Sequence, residues 1–215
     1  MSLLVDAIIA LLILTNVRLI ASSRIASCIH TVAFQGVLLG FLPLLVGVSS
    51  HSTARACVLS GITVLLKGVV FPWLLLRALH AANIRREMEP LVSYTSSLLI
   101  GAVLLVLALW LGNRLPLPMP VASPLVAPLA MFTTMIGLFT IVGRRKALTQ
   151  VLGYLVMENG ISAFGLAFAL SEPLLVELGI LLDAFMAVFV MGIAIFHISR
   201  EFDHMDTDRL SVLKD

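Results

Sequence analysis

Residues 148–198 read LTQVLGYLVMENGISAFGLAFALSEPLLVELGILLDAFMAVFVMGIAIFHI, two long apolar runs joined by Ser171-Glu172-Pro173. About 20 apolar residues in a helix rising ~1.5 Å each cross a hydrocarbon core ~30 Å thick, so both runs predict membrane spans. Each carries an acid where lipid should be. Glu158 lies about eleven residues into the first run, roughly 16 Å deep, and Asp183 about nine into the second. A carboxylate at the bilayer centre costs ~2.5–3.5 kcal/mol on insertion scales. Two of them in consecutive helices therefore point to protons, cations or a partner's charge.

The rest of the chain agrees with a membrane reading. It has 215 residues, 60% hydrophobic and 12% charged, with mean hydropathy +1.10. Soluble domains carry about a quarter charged residues, so a soluble globular reading is poor. An open sheet cannot cross lipid with unpaired edges, and the long continuous runs do not suit a barrel's short alternating strands. The expected class is all-α, a single polytopic membrane domain. Asp6 in the first apolar run, with no basic stretch before it, marks that run as a retained span and not a signal peptide. Cys28 and Cys57, far apart in apolar runs, read as two small core residues.

Seven stretches are long enough to cross: Leu3–Ile20, Ile25–Val48, Ala56–Leu79, Leu91–Leu111, Leu125–Val142, Leu148–Leu170 and Leu174–Ile198. The positive-inside rule orients them. With the N-terminus outside, inner segments hold Arg18, Arg24, Arg77, Arg85, Arg86, Arg144, Arg145, Lys146, Arg200, Arg209 and Lys214, while outer segments hold only Arg55 and Arg114. Eleven against two, with Lys67 left in the membrane, accounts for all 14 cationic residues and predicts N-out, C-in. Residues 1–198 then form the seven-helix domain, and 199–215 form a polar cytoplasmic tail.

Lys67 lies near the middle of the third span. Ser60 and Thr63, seven and four residues before it, share its helix face, and Pro72 five residues on is expected to kink the span. Lys67, Glu158 and Asp183 thus reach similar depth. One reading is a structural Lys–acid pair plus a neutral carboxyl. The favoured one is a lateral row of groups exchanging protons, each with affinity set by its neighbours' charge, because a pair leaves the third group unexplained. Glu177 stands ~9 Å above Asp183 and reads equally as a relay group or a solvated rim residue. Asp6 reads as a rim or cap residue. Gly61, Gly68, Gly160, Gly165, Gly179 and Gly192 are expected to let helices pack closely. No phosphate-cradling loop, Cys-x-x-Cys pair or His-Glu-x-x-His motif is present. The five histidines never fall at metal-ligand spacing on one helix, and a haem between His30 and His197 is a remote alternative.

Tyr154-Leu155-x-Met157-Glu158-Asn159-Gly160, Glu177-x-Gly179-Ile180-x-x-Asp183-Ala184 and Val190-Met191 resemble the hydrogenase-4 component E family. Lys67 followed by Pro72, the Leu210–Lys214 ending, the length and the seven spans resemble it too. That family provides a membrane subunit of formate hydrogenlyase-type and other group 4 [NiFe] hydrogenase complexes. Its C-terminal spans (148–198 here) are similar to complex I subunit K and to the C component of multisubunit Na⁺/H⁺ antiporters. The resemblance implies that Glu158 stands at the first membrane glutamate of subunit K. Asp183 would stand near the second, although as aspartate and after a shorter loop.

It also implies a cofactor-free subunit in a bacterial or archaeal inner membrane that moves protons or Na⁺ through Lys67, Glu158, Asp183 and Glu177. Its partners would be antiporter-like and other complex I-like membrane subunits and a peripheral hydrogenase or related redox arm. The [NiFe] centre and iron–sulfur clusters would lie in those partners, and nucleic acid has no part. Two other readings stay open: a spacer whose charges only lock neighbouring subunits together, and a carrier or antiporter subunit outside any redox complex.

Overall fold

The computed structural model describes residues 2–46, 53–81, 93–115, 123–144 and 147–168, together with Leu182, Phe185 and Gly192. In chain order the elements are α1 (Ser2–Ala21), α2 (Ile25–Val46), α3 (Thr53–Leu65), a π-helical turn (Leu66–Val70), α4 (Phe71–Ala81), α5 (Tyr94–Gly112), α6 (Val126–Gly143) and α7 (Ala147–Phe168). No strand occurs among the described residues. Among the described residues, five stretches are long and apolar enough to cross a membrane: Leu3–Ala21, Ile25–Leu42, Ser60–His80, Tyr94–Gly112 and Val126–Gly143. Helix α7, 22 residues long, packs along α6 and carries the polar Gln150, Glu158 and Asn159. Of the seventh expected span, only Leu182, Phe185 and Gly192 lie among the described residues.

The helices alternate in direction. Asp6, at the start of α1, accepts a hydrogen bond of 2.7 Å from the Ser123 hydroxyl just ahead of α6. The Arg144 guanidinium, just after α6, stands 5.8 Å from the centre of the Tyr94 ring at the start of α5. Helix α2 runs against α3–α4: the Ser60 hydroxyl donates to the Gly40 carbonyl, and Gly36 lies against the backbone of Lys67. One end of the bundle therefore gathers Arg18, Arg24, Arg77 and Arg144, the basic end, and Asp6, Asn113 and Ser123 mark the other.

Local sequence explains the breaks. Ser22 and Ser23 part α1 from α2, and Ser93 caps α5 by accepting from the Ser96 N–H at 3.3 Å. Ahead of Pro72, where a kink is expected, the span carries the π turn Leu66–Val70. The Phe71 N–H reaches back five residues to the Leu66 carbonyl, and Pro72 offers no N–H to continue the ladder. Helices α6 and α7 approach most closely, because a Cβ on Gly137 would strike the Met157 backbone and one on Gly160 would strike Thr134. Gly61, Gly165 and Gly192, expected at helix contacts, have nothing within 4 Å of a Cβ position among the described residues, and Gly179 lies outside them. Cys57 is exposed, contrary to its expected core position, while Cys28 is buried.

Two apolar cores divide the interior. One, toward the basic end, gathers Leu19, Ile29, Val32, Phe71, Leu152 and Val156 among others; the second holds Val5, Leu12, Leu39, Leu129, Ala130 and Ala163. Outward faces are apolar as well: Val58, Leu65, Val69 and Trp73 on α3–α4, and Leu99, Val103, Val106 and Trp110 on α5, are all more than half exposed. Apolar residues inside and out fit a bundle whose solvent is lipid.

Candidate functional site

Between the two cores, the helices contribute a polar layer. On α1 it is Asn16, between Leu12 and Leu19; on α2 it is Gln35, between Val32 and Leu39. The π turn brings Lys67, α6 brings Thr133, and α7 brings Glu158 and Asn159, between Val156 and Ala163. All six are buried.

At its centre, Lys67 Nζ stands 3.0 Å from Glu158 Oε1, and the two side chains are 3% and 1% exposed. Nζ also donates to the Ser162 hydroxyl at 2.7 Å. Ser162 follows Glu158 by one turn, so both acceptors project from the same face of α7. The contact to Oε1 is an ion pair. Glu158 Oε2 meets no hydrogen-bond donor among the described residues. The close approach of Gly36 holds the Lys67 backbone against α2 while its ammonium reaches α7. One chain thus closes the pair across helices 91 residues apart (158 minus 67). Sequence depth alone put the two groups at one level; the structure puts them in contact.

A second polar cluster sits beside the pair. Gln35 Nε2 donates to Asn16 Oδ1 and to Thr15 Oγ1, both at 2.9 Å, and Asn16 Nδ2 donates to Thr133 Oγ1 at 2.8 Å. Thr133 in turn donates to the Leu129 carbonyl. Gln35 Oε1 is buried and meets no donor among the described residues. The cluster flanks the ion pair on two sides, through Gly36 on Lys67 and through Thr134 on Gly160. Reading for ionisable residues missed it. The signal was present all the same, in two carboxamides within otherwise apolar spans, as was Ser162 at helical spacing from Glu158.

Other expected site residues fall differently. Asp183 and Glu177 lie outside the described residues. Ser60 faces α2 and bonds Gly40, so it shares the general face of Lys67 without joining the pair. Asp6 is exposed at its rim position. His30 and His80 are exposed and make local contacts to the carbonyls of Ala26 and Leu76. Among the described residues no group of three or more His, Cys, Asp or Glu side chains converges on a point where a metal would bind.

Comparison with known proteins follows the same division of the chain. Residues 125–215, which include Glu158, Glu177 and Asp183 but not Lys67, match the family described as NADH-ubiquinone/plastoquinone oxidoreductase chain 4L. Hydrogenase-4 component E of Escherichia coli K12 is 34% identical over 116 residues, 54% of this chain and 54% of that protein, as is its Shigella flexneri counterpart. No solved structure matches the chain. The protein Rv0085 of Mycobacterium tuberculosis is 36% identical over 216 residues, 100% of this chain and 97% of its own length. The chain is thus a multi-pass membrane protein that belongs to the family of Rv0085 and resembles hydrogenase-4 component E, with a C-terminal part of the chain 4L type.

Proposed function

We propose that this chain is a cofactor-free membrane subunit of a redox-driven, complex-I-like complex and that its buried Lys67–Glu158 pair takes part in moving protons (or Na⁺). The observation that carries the reading is the pair itself, two opposite charges at bilayer depth, sealed from solvent and held within one subunit. A buried pair of this kind is a weak stabiliser, since apolar residues of similar volume do as well or better. It does give two proton-binding groups whose affinities depend on each other. Removing the Lys67 charge raises the cost of an anionic Glu158, and protonating Glu158 frees the ammonium to move. Asp183 and Glu177 belong to the same proposed row.

Within this reading the basic end faces the cytoplasm of a bacterial or archaeal cell, residues 1–198 are the membrane domain and 199–215 the cytoplasmic tail. Antiporter-like and other complex-I-like subunits pack on the apolar outer faces, and a peripheral hydrogenase or related redox arm carries the nickel–iron and iron–sulfur centres. The spacer reading in its first form had the charges gripping neighbouring subunits. The pair closed inside one chain argues against that form.

The test is Glu158→Gln in the assembled complex. Normal assembly and electron transfer with ion translocation reduced at least tenfold is the expected result. A correctly assembled variant that still translocates at the original rate overturns the reading. Loss of assembly that the exchange Lys67→Glu with Glu158→Lys restores would assign the pair a purely structural role.

A further inference from the structure

A proton on Glu158 leaves the lysine beside it with a charge to place. An ammonium carries three donors and no acceptor, and burying it without acceptors is costly. In the observed seat, Lys67 Nζ stands 3.0 Å from Glu158 Oε1 and donates to the Ser162 hydroxyl at 2.7 Å. A neutral carboxyl no longer answers that charge, so another acceptor within the lysine's reach can compete for it.

Lys67 also borders a small cavity. Its neighbours there include Val32 of α2, Phe71 and Leu75 of α4, and Leu155 and Asn159 of α7, around a space of about 10 Å³ for a water-sized centre. One water needs roughly 10–15 Å³ by this measure, and the –NH₃⁺ head of a lysine is of similar size. Lys67 and Asn159 are the two polar side chains among the described residues that line it.

Asn159 has the features of an unused seat. It is 2% exposed, and its Nδ2 meets no hydrogen-bond partner among the described residues. A half-turn of the carboxamide exchanges its donor end for its carbonyl acceptor, and no hydrogen bond at Nδ2 is lost in doing so. Ser162 ties the two seats together. Glu158 precedes it by four residues and Asn159 by three, both neighbouring spacings on one helix face. The ammonium can thus keep its bond to Ser162 while its other donors pass from Glu158 to Asn159.

We infer that this cavity is a second seat for the Lys67 ammonium, and that Asn159 receives it when Glu158 loses its negative charge. The O–H bond on Glu158 is the only covalent bond formed, and the ammonium keeps its three protons throughout. Asn159 is a positioning residue, and the inference deepens the proposed transport role of the pair, on which its purpose rests. A bulkier residue at 32 takes up the space and closes the second seat, while the first stays as it is.

The experiment reads the seat directly, by solid-state NMR on the full chain in lipid bilayers. Lysine ammonium nitrogens and asparagine side-chain carbonyl carbons are isotope-labelled, and the two signals are assigned by their loss in Lys67→Arg and Asn159→Ser. Dipolar dephasing between Lys67 and Asn159 is expected to be at least threefold stronger in Glu158→Gln than in the parent. Val32→Ile added to Glu158→Gln is expected to return it to the parent level. A merely structural asparagine would not make this contact depend on the charge at 158. Equal dephasing in the parent and in Glu158→Gln, or a rise that survives Val32→Ile, overturns the inference. Should Glu158→Gln fail to fold, Val32→Ile in the assembled complex decides: translocation reduced at least tenfold supports the second seat, and the original rate overturns it. The contact is read without turnover, so a chain that shows it in a complex that moves no ions removes the transport reading and leaves the second seat standing.

Discussion

Lys67 and Glu158 illustrate what a single residue can and cannot disclose. Their types and their distances from the span ends announce charges at midplane depth, and that much is legible from sequence. Their contact is not, because hydropathy fixes the length of a helix and leaves its rotation to packing. Here rotation is set by Gly36 against Lys67 and by Gly137 and Gly160 between α6 and α7. At this scale the pair predicts strong non-additivity. Lys67→Met strands a buried carboxylate and should destabilise by about 3–5 kcal/mol, whereas Lys67→Met with Glu158→Gln should recover most of that loss. Chemical unfolding in detergent, run as a double-mutant cycle, checks it. Gly137→Ala places a methyl on the Met157 backbone and should cost about 1–3 kcal/mol in the same assay.

At the scale of elements, the described helices fall within a few residues of the expected spans, because long apolar runs leave little choice of conformation. The third span departs from regularity. Pro72 was legible as a disruption, but the form it takes, a π turn centred on the lysine's own segment, depends on which carbonyl finds a donor. Pro72→Ala supplies the missing N–H. The expected result is slower amide exchange across residues 66–73 by mass spectrometry, with a measurable shift of the Glu158 carboxylate band as Lys67 rotates. The carboxamide cluster of Asn16 and Gln35 was hidden for another reason. Uncharged residues leave no mark on a charge map, and only packing shows that three helices aim them at one another.

For the whole molecule, the recurring device is a polar layer between two apolar cores, with Arg18, Arg24, Arg77 and Arg144 gathered at one end. The orientation inferred from those arginines has a direct check. With seven spans, N-out and C-in, a C-terminal fluorescent-protein fusion should glow and a C-terminal alkaline phosphatase fusion should be inactive. An active phosphatase would mean that the span count is even or the orientation reversed. The resemblance to chain 4L covers the last two-fifths of the chain and stops short of Lys67. The partner of Glu158 therefore comes from the part of the sequence that this match does not reach.

That separation has a consequence for how the protein is made. Lys67 leaves the ribosome 91 residues before Glu158, about 5–18 s earlier at bacterial and eukaryotic elongation rates. During that interval the third span must enter the bilayer with its ammonium unanswered, at an insertion cost of ~2.5–3.5 kcal/mol for a central lysine. Nascent chains halted before residue 158 should therefore release that span to alkali extraction, and chains halted after α7 has emerged should retain it. Helix α7 thus arrives late in synthesis as the counterion for the span that carries Lys67.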